Sequence, residues 1–235
     1  MRTEILGFSG GCYWCVEAVF RSLRGVMKVL PGWITPRDRV MVDSVLVNGV
    51  LTESVLVWFD PDVIPIESLV AIHQLTHNSS SSHVRRSRYP SAVYVYHGEQ
   101  YCAVEKALNE LALQNDNRNH VQALQHRQAS LSQPTAISAP VTHSPQIASS
   151  TRMVSPTRMA SPARMLSMTQ ILMIRRFTSS DPGMHDYYYA NPDRPFCNAY
   201  ITPKLSRLLT HYRELVPDDK QTVIAAQQAI KNPKK

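Results

Sequence analysis

The sequence predicts an α+β fold: a mixed sheet built as a two-layer sandwich, flanked by helices and interrupted by a disordered insertion. Three observations predict it. Short β-forming runs alternate with stretches of helical apolar spacing through residues 1–114. Residues 115–176 then contain no Phe, Trp, Tyr or Gly and are rich in Ser, Thr, Pro, Gln and Ala. Beyond them an aromatic and apolar pattern resumes, beginning at Phe177 and including Tyr187, Tyr188 and Tyr189.

Residues 4–8 read as a strand, and Ser9-Gly10-Gly11 as a turn. Residues 13–24 place Val16, Val19, Phe20 and Leu23 on one helical face, with Gly25 as a C-cap. Residues 40–47 and 53–59 read as strands, Asp60-Pro61 as a turn, and 65–77 as a helix carrying Ile66, Leu69, Val70 and Ile72. Residues 91–96 are rich in β-formers, and 99–113 have helical spacing with Cys102 among apolar neighbours, the setting of a core residue. After the insertion, 199–201 read as a short strand and 203–215 as a helix. The chain therefore divides into 1–114 and 171–216 as two parts of one domain, 115–170 as an inserted low-complexity segment, and 217–235 as a C-terminal tail. In the insertion, Arg-Met pairs at 152, 158 and 164 alternate with Ser155-Pro156 and Ser161-Pro162. Prolines at that spacing block a helix, and the first half has little to bury.

At 235 residues and 43% apolar composition the chain can build a substantial core. It holds no apolar run long enough to cross a membrane, and residues 1–11 do not resemble a secretory leader. Four cysteines are too few for a disulfide scaffold, so a reducing, cytoplasmic setting is expected. The net charge of +7 argues little for nucleic acid, because residues 115–176 carry seven Arg against one acid, Asp116. The basic character belongs to that segment alone. Its Ser-Pro-x-Arg repeats could track a phosphate backbone, but a solvated linker accounts for them more simply.

Gly10-Gly11-Cys12-Tyr13-Trp14-Cys15 is the most informative stretch. It puts Cys12 where a strand ends and a helix begins. Unpaired backbone N–H groups and the helix dipole favour an anion there, which lowers a thiol's pKa. Gly10 and Gly11 leave room for a substrate to approach the backbone, and Tyr13 and Trp14 supply an apolar wall.

Gly11-Cys12-Tyr13-Trp14-Cys15-Val16-Glu17-Ala18-Val19-Phe20 resembles the signature of the A-type peptide methionine sulfoxide reductases. Pro31-Gly32-Trp33 continues the likeness, and Glu53 stands seven residues before Asp60-Pro61 as the family's catalytic Glu does. Tyr89-Pro90-Ser91-Ala92-Val93-Tyr94, then Glu99-Gln100, then Asn191-Pro192, Pro195-Phe196-Cys197 and Ile201-Thr202-Pro203-Lys204-Leu205 extend it. The resemblance implies a thiol-dependent oxidoreductase acting on the S epimer of methionine sulfoxide, free or in proteins. Cys12 would attack the sulfoxide sulfur, and Glu53, if buried, would protonate the oxygen. Tyr89 would donate a hydrogen bond to that oxygen. Tyr13, Trp14 and Trp33 would bind the methyl group's side. Cys197 would resolve the resulting sulfenic acid, with Cys15 as the alternative, and thioredoxin would reduce the disulfide. No cofactor, metal or membrane contact is implied, and a monomer is expected.

The sequence departs from that pattern in places. Trp33 stands where the family carries a Tyr, and Ile34-Thr35 follow where it carries Gly-Gly. Residues 81–88 replace a Gly-rich run, with Val84 in the place of its Asp, and Leu51-Thr52 replace a Gly-His pair. Met184-His185 replace a His-Gln. A catalytically degraded member acting as a binding protein is therefore one alternative reading. A thioredoxin-like enzyme using Cys12-x-x-Cys15 is another. A zinc site from Cys12, Cys15, His73 and His77 is disfavoured, since the spacing matches no finger.

Overall fold

Glu4–Ser9 forms β1, Val26–Pro36 β2, Val40–Val42 β3, Val45–Val47 β4, Thr52–Phe59 β5, Ala92–Val95 β6 and Gln170–Ser179 β7. The helices are α1 (Tyr13–Arg21), α2 (Ile66–Thr76), α3 (Gly98–Leu131), α4 (Tyr187–Ala190), α5 (Thr202–His211) and α6 (Asp218–Lys231). The structure is a computed structural model, and it describes residues 2–42, 45–47, 49–77, 90–131 and 169–231.

Five strands close into a barrel in the order β1-β5-β2-β7-β6, with β6 returning to β1. The expected two-layer sandwich is therefore corrected to a closed barrel with helices packed outside one face of its strands. Every pairing is antiparallel except β6 with β7. Closure gives each of the five barrel strands a partner on both sides. The stave that sequence patterning misses is β2, which contains Pro31, Gly32 and Pro36. Prolines and glycine ordinarily argue against a central strand. Here the Pro31 carbonyl accepts from both the N–H and the hydroxyl of Ser180, each at 3.0 Å. Gly32 permits the close approach of β7, since a Cβ would lie 2.2 Å from the Thr178 carbonyl oxygen.

Strand side chains alternate between two apolar clusters. Leu6, Phe8, Val55, Val57, Phe59, Val93 and Val95 meet the helices. Ile34, Leu56, Ala92, Tyr94 and Leu172 meet one another. From α1, Val16, Val19 and Phe20 enter the first cluster, with the Phe8 and Phe20 rings 4.3 Å apart. From α2, Leu69, Val70 and Ile72 do the same.

Other boundaries shift. The expected strand at 40–47 is the hairpin β3–β4. The expected strand at 199–201 is part of a π-helical turn, Cys197–Ile201, that runs into α5. Among the described residues no strand pairs with that tripeptide, and Pro203 in the first turn of α5 favours helix. The segment 217–235 holds α6, which buries Ile224 and Gln227. Cys102 is exposed rather than a core residue, because α3 turns Val104, Ala107 and Leu108 inward instead. Residues 1–111 and 167–235 make one compact unit, and 112–166 a second. In the latter, helix continues to Leu131, past the expected start of the insertion at 115. The rest of the insertion up to 168, with its Arg-Met repeats, lies outside the described residues. Among the described residues no helix is long and apolar enough to cross a membrane.

Candidate active site

β1 ends at Ser9, whose hydroxyl donates to the Pro90 carbonyl (2.7 Å) and lies 3.2 Å from the Tyr94 hydroxyl. Its carbonyl accepts from His73 Nε2 at 2.8 Å. The strand end is thus pinned from two sides before the chain turns. Gly10 and Gly11 make that turn at φ +148° and +153°, a region side chains disfavour. A Cβ on Gly10 would also strike the His77 ring at 2.5 Å. The turn delivers Cys12 to the N-cap of α1, where its carbonyl accepts from the N–H of Cys15 at 3.0 Å.

The Cys12 thiol is lowered from its ordinary value. The largest cause is a hydrogen bond from the Cys15 thiol, helped by the backbone N–H groups of Trp14 and Cys15, while burial and the charge of Glu53 oppose it. A hydrogen bond to a charged group contributes about 1.5–3 kcal/mol, more than the roughly 0.3–1 kcal/mol of a helix end. The Cys15 thiol is pushed up in return, first because it donates to Cys12 and then by burial. Ionisation is thus favoured at the Cys12 sulfur and disfavoured at that of Cys15.

Trp33 of β2 sits directly across from Glu53 of β5 in the antiparallel register, so the two side chains share a face. The buried Tyr13 ring meets Trp14 and Trp33 edge-on, with centroids 5.7 and 5.8 Å apart. Trp14 stacks on Tyr187 at 4.1 Å, meets Phe196 edge-on at 5.7 Å, and donates its Nε1–H to the Met184 carbonyl. Cys12, Tyr13, Trp14, Trp33 and Glu53 therefore stand in one neighbourhood. Tyr89 and the 81–88 run lie outside the described residues. Cys197 is wholly buried, with its Sγ donating to the Asn191 carbonyl at 3.6 Å. Burial pushes its thiol up, with Arg194 opposing.

Several residues of this neighbourhood escape sequence reasoning. Tyr187 and Phe196 complete the aromatic wall; the sequence signals for them are the aromatic richness around residue 187 and the Pro195-Phe196-Cys197 run. Glu17 is buried on α1 and accepts from the N–H of Asp186 (2.7 Å) and of Tyr187 (3.4 Å). Arg21 of α1 pairs with Asp186 at 2.9 Å. Together they hold the segment bearing Tyr187 against Trp14. A small cavity of about 40 Å³ adjoins Cys12 and Cys15 and is lined also by Gly10, Thr76, His77 and Lys204. Among the described residues no group of three or more His, Cys, Asp or Glu could hold a metal ion. The two histidines of the conceivable zinc quartet are otherwise engaged. His77 bonds the His73 carbonyl (2.8 Å) and the Ser91 hydroxyl (2.6 Å), and His73 bonds Ser9.

The chain is similar to known proteins over most of its length. It is 25% identical to the peptide methionine sulfoxide reductase MsrA of Thermus thermophilus, over 92% of this chain and 99% of that one. It is 26% identical to the MsrA of a Psychrobacter species, over 91% and 98%. Its fold resembles the crystal structure of Mxr1 from Saccharomyces cerevisiae in reduced form, with a TM-score of 0.52 and 13% identity, covering 83% of this chain and 90% of that one. Residues 4–130, which carry the Cys12 turn, the Trp33–Glu53 pair and four of the five barrel strands, match the peptide methionine sulfoxide reductases, and the chain belongs to that family.

Proposed function

We propose that this chain reduces the S epimer of methionine sulfoxide, free or in proteins, with Cys12 as nucleophile. The observation that carries the reading is the Cys12 thiol, its pKa lowered at the head of α1, beside the Trp33–Glu53 pair. The Cys12 sulfur attacks the sulfoxide sulfur while Glu53 donates a proton to the oxygen. Tyr89 is assigned a second hydrogen bond to that oxygen on the strength of the family resemblance. Trp14 and Trp33, supported by Tyr13, flank the methyl group. The sulfoxide is reduced to the thioether, and Cys12 is oxidised to a sulfenic acid.

A second thiol then attacks the Cys12 sulfur, an S–S bond forms, and the S–O bond breaks with release of water. The family resemblance gives this role to Cys197. The hydrogen bond between the Cys15 and Cys12 side chains favours Cys15 as a second reading. Peptide mapping of the oxidised protein decides between a 12–197 and a 12–15 bridge. Thioredoxin, a dithiol, fits as the reductant of either bridge, and the chain acts as a monomer in a reducing, cytoplasmic setting.

The test is a single turnover without reductant. Wild type forms one equivalent of methionine from the S epimer and none from the R epimer, and Cys12→Ser forms none. Product from the folded Cys12→Ser variant sinks the assignment of the nucleophile, and equal loss of both epimers sinks the stereochemical one.

A further inference from the structure

Lys204 lies in the first turn of α5 and reaches back across the Cys12 turn to line the cavity shared by Cys12 and Cys15. Its Nζ donates to the carbonyl of Thr76, the last residue of α2, so the ammonium is fixed rather than free to leave for solvent. Among the described residues no carboxylate forms an ion pair with it. A half-buried cation without a carboxylate partner is costly unless another anion compensates it.

The charged and titratable groups around it come from four elements. Cys12 and Cys15 belong to the head of α1, His73 and His77 to α2, Arg207 to α5, and Glu53 faces Cys12 from β5. His73 is held neutral by burial, with His77 and Lys204 adding to the effect. Burial is the largest effect on Lys204 and lowers its pKa, with Arg207 adding to it, whereas Cys15 and then Cys12 favour its charge, and Lys204 in turn eases ionisation of Cys15. The hydrogen-bonded sulfur pair, able to share a single negative charge, is thus the partner that lines the same cavity as the cation.

We propose that Lys204 is a positioning residue for the reaction: fixed at the Thr76 carbonyl and lining the cavity beside Cys12 and Cys15, it is the counter-cation of that sulfur pair. The proposal rests on Cys12 as the nucleophile, but its test needs no sulfoxide. It is the pH profile of Cys12 alkylation by iodoacetamide in the full chain, followed by mass of the Cys12 peptide.

Lys204→Gln keeps a donor for the Thr76 carbonyl and removes the charge. Its alkylation midpoint rises by about one pH unit, and alkylation at pH 7 slows about tenfold, while rates at high pH match wild type. Lys204→Arg keeps the wild-type midpoint. A folded Lys204→Gln protein with an unmoved midpoint overturns the proposal, and so does a Lys204→Arg protein shifted as far as the Gln variant. In the wild-type chain, alkylating Cys12 lowers the titration midpoint of Lys204, read by NMR of methyl-labelled lysine. An unchanged midpoint there overturns the proposal without any substitution at Lys204. Failure of sulfoxide turnover in the wild type, with these shifts intact, counts against the proposed reaction and not against the cation.

Discussion

At the scale of single residues, Glu53 has two opposed effects that one substitution separates. Its charge works against the Cys12 thiolate, yet the proposed chemistry needs its proton. Glu53→Gln therefore lowers single-turnover reduction by about 10²–10⁴ and at the same time speeds alkylation of Cys12 at neutral pH. Slowing of both would point to a distorted site instead. Glu17 is the second such residue. Glu17→Ala leaves the N–H groups of Asp186 and Tyr187 without their acceptor and costs about 2–3 kcal/mol, measured by urea unfolding. Burial holds the Glu17 carboxyl above its ordinary value, with Asp186 and Tyr187 N–H groups and Arg21 opposing. The folded state thus binds its proton more tightly than the unfolded one, and stability falls as pH rises from the ordinary carboxylate value through the folded one. Glu17→Gln keeps an acceptor and flattens that slope.

At the scale of elements, the joint between β1, α1 and α2 is the sensitive one. His73 ties α2 to the Ser9 carbonyl as a buried neutral imidazole, its pKa held well below the ordinary value by burial and by His77. The unfolded chain takes up a proton near pH 6.5 that the folded chain refuses, so stability present above that pH is lost as pH falls below it. His73→Gln removes this acid sensitivity in thermal melts between pH 7 and 5. Gly10→Ala drives a Cβ into His77 and strains the turn, so it lowers the melting temperature and slows Cys12 alkylation together.

The elements also show why parts of the molecule were legible in sequence and parts were not. The Cys12 turn, α1, α2 and β5 announce themselves through local spacing, although β5 is completed by its pairing with β1 and β2. β2 hides because Pro31 and Gly32 are tolerated only through partners on β5 and β7. α6 hides because it buries few side chains and is held by polar contacts. Lys220 sits over the Tyr189 ring at 3.6 Å, and Gln227 donates to Asp193 at 2.8 Å. Tyr187, Phe196 and Lys204 reach the neighbourhood of Cys12 only through tertiary packing, from more than 170 positions along the chain.

At the scale of the whole molecule, residues 132–168 contain no aromatic residue and no glycine. Halving that segment with a Gly/Ser linker changes loop entropy by only about 0.6 kcal/mol. The melting temperature and the single-turnover rate are expected to stay near those of the intact chain, and a loss of many degrees would show that the segment packs.

The place of β7 in the ring has a consequence for how the protein is made. It is the last stave to leave the ribosome, yet it sits between β2 and β6. Until residue 179 has emerged, β2 and β6 each present an unpaired edge, the kind of surface on which nascent chains stick to one another. Closing the ring then joins Ala92 to Gln170 across a long intervening stretch, which makes late assembly slow by topology. A polypeptide cut short by premature termination or proteolysis before β7 would carry Cys12 and Glu53 in an open sheet, without Tyr187, Phe196 or Lys204. Such a fragment should be both inert and prone to aggregation, leaving quality control to remove it rather than allowing a half-built enzyme to circulate.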